Sequence, residues 1–574
     1  MKKSTARLLA LLLSCAMLLT LTGCMTVSEL ESTEETRAIR IPEPVNQEKC
    51  TELGTPLADL RVRQALIHAI DMDTIIEALY YGRAERATGF GGAEIPELQE
   101  YGYDPQKAKE LLAEAGWPSD YVLDVVYYHD DSQTLDLLNV IGSYWEAVGI
   151  KAEFRKLEGD LAAQLWKIPD DPEGDSAVQW DLAFGAVAAP AESEYYNRFA
   201  SDASNNSHTP EIEDMDPLIH EAASTLDEQE RQLIYQKIQM MLAQQASFIP
   251  LLHQDCYIYI SDHIDTAGAV HGNDQFFYDK DILNWTTDRE DNTLYTDGGP
   301  LEFFVYPVVN PGLYLYQELI FERLIGADSD LNPAEGHLAE SYTVSDDGKT
   351  VEFILQEDLL WHDGKPLTAA DVKFTFELYM QCPGANSVLT EVLHKLEGAQ
   401  AFIDGDADEC TGIAVEKNKI IFRFETVAAD ALKVFSQWPV LPKHKLERVR
   451  PAKLQQNKFW KNPIGSGPYR VSEVTPGESC TLQRWEDYRN SGEGNIEFIH
   501  MVSSGETNGE LSILASRGLI DYAWGKSTDD AAYIESLADM QTVSVGIPYT
   551  RCFFINQYPH VSYHDQQGSA EPTK

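Results

Sequence analysis

Apolar residues recur along the chain at the spacings of buried helix faces and buried strands. In the stretch 57–81 they return every three or four positions, which predicts an amphipathic helix. Another helix is predicted to begin at Asp104-Pro105, because Asp suits the N-cap and Pro the first helical position, and to end at Gly116. Strand-like apolar runs occur at 121–128, 152–154, 180–184, 249–252, 419–424, 470–474 and 551–555. This alternation of helices and strands predicts an α/β fold.

The second half of the chain carries more turn signals than the first. Residues 350–355 begin with alternating polar and apolar side chains and end in an apolar run, which predicts a strand after the turn Asp346-Asp347-Gly348. The run from Thr368 to Asp371 has the pattern of a capping box that opens a helix. Between the halves, residues 286–299 are rich in Thr, Asp, Asn and Gly. That composition is typical of a linker, and we expect an exposed, mobile loop there.

The first two dozen residues have the pattern of an export signal. Lys2, Lys3 and Arg7 precede an apolar run, 8–21, that is too short to span a bilayer. The sequence Leu21-Thr22-Gly23-Cys24 resembles a bacterial lipobox, with an ordinary secretory signal as the alternative. We therefore predict a signal peptide at 1–23 and acylation of Cys24. A polar stalk at 24–45 would then tether the chain to the outer face of the membrane. Residues 558–574 are predicted to form a polar tail.

Length and charge narrow the possible architectures and partners. A chain of 574 residues exceeds what one hydrophobic core usually supports, so at least two lobes are expected. Its 44 basic and 93 acidic residues give a formal charge of −49. Because such a field repels phosphate groups, neither nucleic acid nor an anionic lipid surface is expected as a partner.

The sequence offers no recognisable catalytic or metal-binding motif. It lacks a G-x-S-x-G elbow, an H-E-x-x-H pair, a Walker loop and a G-x-G-x-x-G fingerprint. The acidic residues of His129-Asp130-Asp131 and of His362-Asp363 stand beside turns, where Asp usually caps backbone amides. We therefore expect neither catalysis, nor a metal, nor a cofactor. Six cysteines lie beyond the signal, and their pairing stays open: Cys50, Cys256, Cys382, Cys410, Cys480 and Cys552.

Eight short motifs together resemble the bacterial extracellular solute-binding proteins of family 5, which serve peptide and nickel ABC importers. They are Leu338-Ala339-Glu340-Ser341-Tyr342, Asp347-Gly348-Lys349-Thr350, Trp361-His362-Asp363-Gly364, Gly465-Ser466-Gly467-Pro468-Tyr469, Asp521-Tyr522-Ala523-Trp524, Val62-Arg63-Gln64-Ala65-Leu66, Asp104-Pro105 with Ala115-Gly116, and Ile249-Pro250-Leu251. The resemblance implies an α/β, two-lobed periplasmic-binding-protein-like (type II) fold with an extra subdomain.

The order of these motifs differs from that of the family. There, W-H-D-G precedes V-R-Q-A-L, whereas here Val62 comes long before Trp361. Each motif occurs once, so we interpret the chain as circularly permuted, with the original termini joined through 286–299. Asn-Gln stands at both cut ends, as Asn46-Gln47 and Asn556-Gln557.

The resemblance also implies a division into lobes. The smaller lobe would comprise 46–248, the segment 249–285 a crossover and return, and 300–557 the larger lobe with its subdomain. Two crossovers would then form the hinge, and the expected hinge residues are Asn46, Gln47, Ile249, Pro250, Asn556 and Gln557.

Peptide-binding members hold the ligand ammonium with an acidic residue that follows a Trp-Asp strand. Here Trp180-Asp181 is followed by Ala188 to Ala191, so the expected carboxylates are missing. Glu192 or Glu194 could replace them, since a buried ammonium needs a charged partner, although both could be solvated loop acids. The other candidate cleft residues are Trp438, Trp524, Tyr549 and Arg551, of which Arg551 could bind a ligand carboxylate bidentately.

The sequence therefore predicts a monomeric lipoprotein outside the cytoplasm that captures a small ligand, an oligopeptide or dipeptide, for an ABC transporter permease. Three alternatives stay open: a receptor for nickel chelates or other solutes, a hydrolase on the same scaffold, and a non-functional rearranged product.

Overall fold

The predicted alternation of helices and strands is confirmed, and two large mixed sheets organise the chain. A computed structural model describes residues 49–560 apart from positions 91–94, 96–97, 99, 168, 170–173, 189–192, 204–205, 207, 268–281, 299–306, 309–314, 329–331, 335, 491, 504–509 and 548. Outside the described residues lie the predicted signal peptide, the stalk, most of the polar tail, Cys24, Asn46, Gln47 and Glu192.

The first large sheet belongs to the smaller lobe. Its strands are β1 (Ala84–Arg86), β2 (Val122–Tyr127), β3 (Lys151–Lys156), β4 (Leu182–Ala188), β5 (Phe248–Gln254) and β21 (Tyr549–Ile555). Their spatial order is β1–β5–β21–β4–β2–β3. Strand β2 is parallel to β3 and β4, and the other pairs are antiparallel. Strand β21, from the far end of the chain, therefore lies in the middle of this sheet.

Within the described residues, eight α-helices accompany the strands of the smaller lobe. They are α1 (Leu60–His68), α2 (Met72–Leu79), α3 (Pro105–Ala115), α4 (Ser132–Val148), α5 (Leu161–Leu165), α6 (Ser193–Asn197), α7 (Met215–Ser224) and α8 (Glu228–Gln244). Helix α3 begins and ends where the sequence predicts. The Asp104 carboxylate accepts the Lys107 amide at 2.8 Å, and Gly116 ends the helix with a left-handed φ of 71° that suits glycine.

The second large sheet belongs to the larger lobe. Its strands are β6 (Cys256–Ser261), β9 (Thr293–Asp297), β16 (Tyr469–Thr475), β17 (Ser479–Arg484), β18 (Phe498–Val502), β19 (Tyr522–Gly525) and β20 (Met540–Val545). Their spatial order is β16–β17–β18–β9–β19–β6–β20, and β9 is parallel to both β18 and β19. Short strand pairs β7–β8 (Ile264–Asp265 and Thr286–Thr287) and β10–β11 (Gly326–Ala327 and Pro333–Ala334) lie outside it.

A separate antiparallel sheet forms the extra subdomain of the larger lobe. It contains β12 (Ala339–Val344), β13 (Thr350–Leu355), β14 (Ile413–Glu416) and β15 (Lys419–Arg423), in the order β12–β13–β15–β14. The helices of the larger lobe are α9 (Leu315–Ile320), α10 (Ala369–Gln381), α11 (Ser387–His394), α12 (Ala399–Ile403), α13 (Ala431–Gln437), α14 (Lys443–Leu446), α15 (Glu510–Ser516) and α16 (Thr528–Glu535). The capping box predicted at Thr368 and Asp371 is present at the start of α10.

The motifs around His362 and Gly465 form one hydrogen-bonded structural unit. The His362 ring accepts the Gly465 amide at 3.2 Å through Nδ1, and its Nε2 donates to the Gly467 carbonyl at 2.9 Å. Burial lowers the pKa of His362 to about 4, so the ring is neutral and this pattern fixes its tautomer. A Cβ at Gly465 would meet the Ile320 carbonyl at 1.7 Å, so a side chain does not fit in this turn.

Two adjacent crossovers join the lobes. Asp255 alone separates β5 of the smaller lobe from β6 of the larger one. Residues 546–548 connect β20 of the larger lobe to β21 of the smaller one. The crossovers are neighbours, because Val545 pairs with Cys256 on one side and Thr550 pairs with His253 on the other.

The predicted position of the hinge is therefore wrong. Ile249 and Pro250 lie within β5, where Ile249 is fully buried and pairs with Phe553. Asn556 and Gln557 follow β21 inside the smaller lobe, and the Asn556 side chain donates to the Trp180 carbonyl at 3.0 Å. Strand β5 ends with the polar residues His253 and Gln254, which carry no apolar strand signal. The sequence therefore predicts the crossover several residues before its position at Asp255. Neither crossover is interrupted by the chain ends.

The predicted linker at 286–299 is wrong over most of its length. Residues 293–297 form β9, between β18 and β19, and Leu294 is fully buried. Thr and Tyr suit a half-buried pleated surface, and this preference outweighed the turn-like composition of the stretch. Within it, 288–292 is the irregular connection, and only its Arg289 is not fully exposed.

The lobe boundaries shift accordingly. Residues 249–254 and 549–557 belong to the smaller lobe, not to the crossover region and the larger lobe as predicted. The core of the smaller lobe gathers both parts of the chain, since Trp145 of α4 packs against Phe553 of β21. All six described cysteines are buried and free, so Cys382 and Cys410 form no disulfide.

Candidate functional site

The described site lies where the ends of both sheets meet at the crossovers. In the smaller lobe β4 ends at Ala188, β5 ends at Gln254, and β21 begins at Tyr549, all at one edge. In the larger lobe β19 ends at the corresponding edge, where Gly525 pairs with Tyr257. Open α/β sheets bind ligands beyond the carboxyl ends of their parallel strands. We therefore expect the ligand cleft between the two edges.

Arg551 is the most unusual side chain at this edge. It is 8% exposed, and its Nε donates to Gln254 Oε1 at 3.3 Å. Among the described residues, its buried Nη1 has no hydrogen-bond partner and no carboxylate lies within ion-pair distance of its guanidinium. The guanidinium instead lies 5.1 Å from the Tyr549 ring centroid and 5.7 Å from that of Phe184. A buried guanidinium with an unused donor is costly unless a further partner binds it.

A second cation reaches the same place from the larger lobe. Lys526 follows β19, and its Nζ lies 3.9 Å from the centroid of the Tyr549 ring. Two side chains of the smaller lobe hold this segment: Gln254 donates to the Lys526 carbonyl at 2.7 Å, and Gln133 donates to Thr528 Oγ1 at 2.6 Å. Cations from both lobes thus flank one tyrosine ring.

The titratable groups around Arg551 differ in charge, and the carboxylate of Asp131 is among the groups that raise the pKa of Arg551 against the effect of burial. Desolvation, followed by the positive charges of Arg551 and Lys526, lowers the pKa of His129 to about 4, so this residue is neutral near pH 7. The Asp131 carboxylate is occupied at the start of α4, where it accepts the Thr134 amide at 2.9 Å and its hydroxyl at 2.7 Å. Tyr128, whose pKa burial raises to about 12, is also uncharged.

Glu194, the described candidate for binding an ammonium group, already has a partner. Its side chain is 12% exposed and accepts a hydrogen bond from Arg198 at 3.1 Å, one turn along α6. Burial raises the pKa of Glu194 although Arg198 opposes that shift. The Arg198 guanidinium is stacked 4.6 Å from the Trp166 ring. A ligand ammonium would therefore have to displace a packed guanidinium.

The lobes also touch at the far rim of the cleft. Asn197 of the smaller lobe donates to Glu391 of α11 at 3.3 Å, and burial raises the pKa of Glu391. A cavity of about 330 Å³ lies beside this contact and is lined by residues of both lobes, among them His220 and Lys395. The lobes are thus in contact both at the crossovers and at this rim.

The sequence model described as "Bacterial extracellular solute-binding proteins, family 5 Middle" matches residues 41–206 and 334–568, which is more than half of the chain. The chain belongs to this family. Its mixed α/β sheets agree with the predicted type II periplasmic-binding-protein fold. Among the described residues, no helix is both long and apolar enough to span a bilayer.

Several proteins are similar to part of the chain. Heme-binding protein A of Haemophilus influenzae is 29% identical over 243 residues, which are 39% of this chain and 42% of that protein. A putative ABC transporter peptide-binding protein of Brucella ovis is 28% identical over 229 residues, or 40% of each chain. The solved oligopeptide-binding protein of Bacillus subtilis, in complex with a nonapeptide, is 23% identical, with a TM-score of 0.35 over 43% of this chain and 46% of its own. The chain thus spans less than half the length of these relatives.

The predicted site residues of this family-5 chain separate into three groups. Tyr549 and Arg551 lie together at the crossovers, and Trp524 is on β19 of the larger lobe, two residues before Lys526. Glu194 lies on α6 and is paired with Arg198. Trp438 does not reach the site, because it is fully buried in the core of the larger lobe, 4.6 Å from the Tyr379 ring.

Sequence reasoning missed Lys526 and Gln254. Lys526 stands two residues after the family motif that ends at Trp524, and this position at the end of a predicted strand was the available signal. Gln254 gave none, since it becomes a site residue only because β5 continues to the crossover.

Proposed function

We propose that the chain is the solute-binding lipoprotein of an ABC importer and that its two lobes close on a small ligand, an oligopeptide or dipeptide. The observation that carries this proposal is the buried Arg551, whose Nη1 has no partner among the described residues, at the junction of two lobes joined by two short crossovers. A hinge of this kind allows the lobes to open and to close around a ligand. The peptide-binding name of the Brucella ovis relative supports the ligand class.

A screen of the purified protein tests this function. Native mass spectrometry should detect a co-purified or added small molecule, and small-angle scattering should report a smaller radius when a peptide mixture is added to ligand-free protein. Nickel with histidine, in a parallel titration, tests the chelate alternative. Binding of nickel with histidine and of no peptide would contradict the peptide assignment.

We also propose that an N-terminal lipid holds the protein at the membrane through Cys24. The lipobox-like run that precedes this cysteine supports the proposal. Cys24→Ser should release the protein from the membrane fraction and abolish its labelling by radioactive palmitate. Retention of the variant in the membrane would argue for a different anchor.

We further propose that the chain is a circular permutant of the family order. Two placements support this: β21, from late in the chain, lies between β4 and β5, and the first described residues lie next to the last described ones. A Cβ at Gly54 would lie 2.9 Å from Pro559, and the Ser176 amide donates to the Pro559 carbonyl at 2.7 Å. Chain ends that are close in space can be exchanged with a surface loop at little cost.

A further inference from the structure

We propose that the smaller lobe and the subdomain of the larger lobe form a latch that takes up a proton when the lobes close, so that acidic conditions favour the closed state. This rim latch consists of the contacts that Leu226 and Asn197 of the smaller lobe make with the larger lobe. The inference rests on the opening and closing of the lobes in the proposed function. It holds for any ligand and names a condition that controls closure.

The apolar half of the rim latch is Leu226, between α7 and α8 of the smaller lobe. A Cβ at Gly348 would lie 2.7 Å from Leu226 Cδ1 and 3.1 Å from Val427 Cγ1. Leu226 therefore packs on the backbone of the turn before β13, beside Val427. Leu226, Gly348 and Val427 all lie outside the crossovers, so this contact can separate when the lobes turn about them.

The polar half of the rim latch joins α6 of the smaller lobe to α11 of the larger one. Asn197 Nδ2 donates to Glu391 Oε2 at 3.3 Å across the lobe boundary. Closing the lobes therefore takes the Glu391 carboxylate out of water and gives it a neutral amide as its hydrogen-bond partner. Burial of a carboxylate disfavours its charged form unless a positive charge compensates it.

The ionisable groups around Glu391 come from both lobes. They are the cations Arg198 and Lys395, the carboxylates Glu194, Asp202 and Asp430, and the imidazole of His220. The carboxylates outnumber the permanent cations, and Arg198 is already bound to Glu194 at 3.1 Å. His220 lies 3.3 Å from Asp202 within the smaller lobe, so closure does not create that contact. The charge on Glu391 is therefore not fully compensated when the lobes meet.

The titration of this region agrees with the geometry. Burial raises the pKa of Glu391, and the charge of Asp202 adds to that rise against the nearby cations. Burial also raises the pKa of Glu194, and the charge of Glu391 adds to that rise against Arg198. In the open state Glu391 meets water, and its pKa returns toward the ordinary value of 4.5. Closure should thus strengthen as the pH falls through the raised pKa of Glu391 and level off below the ordinary one.

The distance between the lobes, followed as a function of pH, tests the inference. Fluorophores would be attached through azide-bearing amino acids at two exposed positions, Lys109 on α3 and Glu416 on β14. Single-molecule energy transfer in the ligand-free protein then reports the ratio of closed to open molecules. From about pH 7.5 to about pH 5 this ratio should rise at least about threefold, within the limit of about tenfold per pH unit that one proton allows. A ratio that does not change with pH would overturn the inference.

Variants of the polar half locate the proton. Glu391→Gln, whose amide resembles the protonated acid, should hold the ratio near the acidic wild-type value at every pH. Glu397→Gln, at an exposed glutamate of the same lobe, is the matched control and should keep the wild-type profile. Asn197→Asp places a second carboxylate against Glu391, so it should lower the ratio near neutral pH and steepen its rise on acidification. This change in the other lobe keeps the test valid should Glu391→Gln fold poorly.

Two further variants separate the contributions within the rim latch. Leu226→Ser should lower the ratio by a similar factor at every pH, because it weakens only the apolar half. His220→Gln should keep the wild-type profile. Loss of the pH dependence in His220→Gln and its retention in Glu391→Gln would place the proton on the imidazole and overturn the inference.

A random-sequence tetrapeptide library distinguishes the rim latch from the receptor function. If the library closes the lobes while the ratio ignores pH, the receptor function stands and the rim latch is overturned. If the ratio follows pH as expected while the library changes nothing, the rim latch stands and the peptide assignment fails. If energy transfer responds to neither pH nor the library, both are overturned.

Discussion

Each lobe contains a buried aspartate directly before a central strand, and the two make the same backbone contacts with different side-chain partners. In the larger lobe, the Asp521 amide donates to the Tyr295 carbonyl at 2.6 Å, and its carboxylate accepts the Tyr295 amide at 3.0 Å. In the smaller lobe, Asp181 makes the same two bonds with Asp124, at 3.0 and 2.8 Å. Both aspartates therefore fix the register of a parallel strand pair.

The two aspartates differ in their side-chain partners. The partner of Asp521 lies near the proposed join of the original termini, and the partner of Asp181 lies near the proposed new chain end. Asp521 binds Arg289 through two bonds, at 2.6 and 2.8 Å, and so holds the exposed turn 288–292. Asp181 binds His560 at 3.0 Å and so holds the last described residues of the chain. Arginine stays charged at all accessible pH values, whereas histidine does not. The ion pair that holds the proposed join in the larger lobe is thus independent of pH. The contact that holds the last described residues in the smaller lobe depends on the protonation of His560.

The largest effect is expected from removal of Asp521. Asp521→Ala leaves Arg289 without its partner and also removes the acceptor of the Tyr295 amide and of the Ser261 hydroxyl, at 2.8 Å. Breaking a buried pair by deleting one member costs about 3–5 kcal/mol, so the free energy of unfolding in urea should fall by that order. Glu290→Ala, in the same turn but exposed, is the matched control and should change stability little. An unchanged midpoint for Asp521→Ala would show that Asp521 does not hold the join.

A smaller loss is expected from the equivalent change in the smaller lobe. Asp181→Ala removes the acceptor of the Tyr121 hydroxyl, at 2.7 Å, of the Asp124 amide, and of the His560 ring, whose contribution depends on pH and is smallest at high pH. Leaving buried donors unsatisfied costs about 1–3 kcal/mol, less than the loss of a buried bidentate ion pair. Urea unfolding of both variants side by side checks the order. A larger loss for Asp181→Ala than for Asp521→Ala would reverse the comparison.

The fold was more predictable from the sequence than the site was. Helix α3, the capping box before α10 and the strand at 551–555 rest on local chemistry, and each was predicted. Strand β9 was missed because its burial comes from β18 and β19, which lie some two hundred residues away in the chain. For the site, Arg551 was found by its type and strand, but Lys526 and Gln254 matter only because the crossovers bring the lobes together. Trp438 is the opposite case: its residue type suggested a cleft position, but its side chain is fully buried in the core of the larger lobe.

A smaller effect is expected in the pH dependence of stability, to which the Asp181–His560 contact contributes and the Asp521–Arg289 pair does not. Burial opposes protonation of His560, but the hydrogen bond and charge of Asp181 outweigh it and raise the pKa of His560 above its ordinary value. The contribution of this contact is therefore fully present below the ordinary histidine pKa of about 6.5 and is lost as the pH rises through the raised value. Subtracting the unfolding free energy of His560→Gln from that of the wild type across pH 5 to about 9 should show this decline. A flat difference would mean that His560 is bound without a proton.

The smallest effect is expected from restoring the family order of the chain. The design links His560 to Lys49 through a flexible Gly-Ser segment and opens the chain within 288–292, so that β9 begins near the new N-terminus. Both crossovers, at Asp255 and 546–548, are continuous in either order, so lobe closure and ligand affinity should not change. Loop closure depends only weakly on length, which places the expected change in stability within about 1 kcal/mol.

A second version, which joins Gln557 to Glu48 and so omits His560, is the matched control for the smaller lobe. Its stability should lose the pH dependence described above. If both versions fail to fold, the permuted interpretation is wrong. If the first folds with altered affinity, the chain ends influence the cleft in a way that the continuous crossovers do not explain.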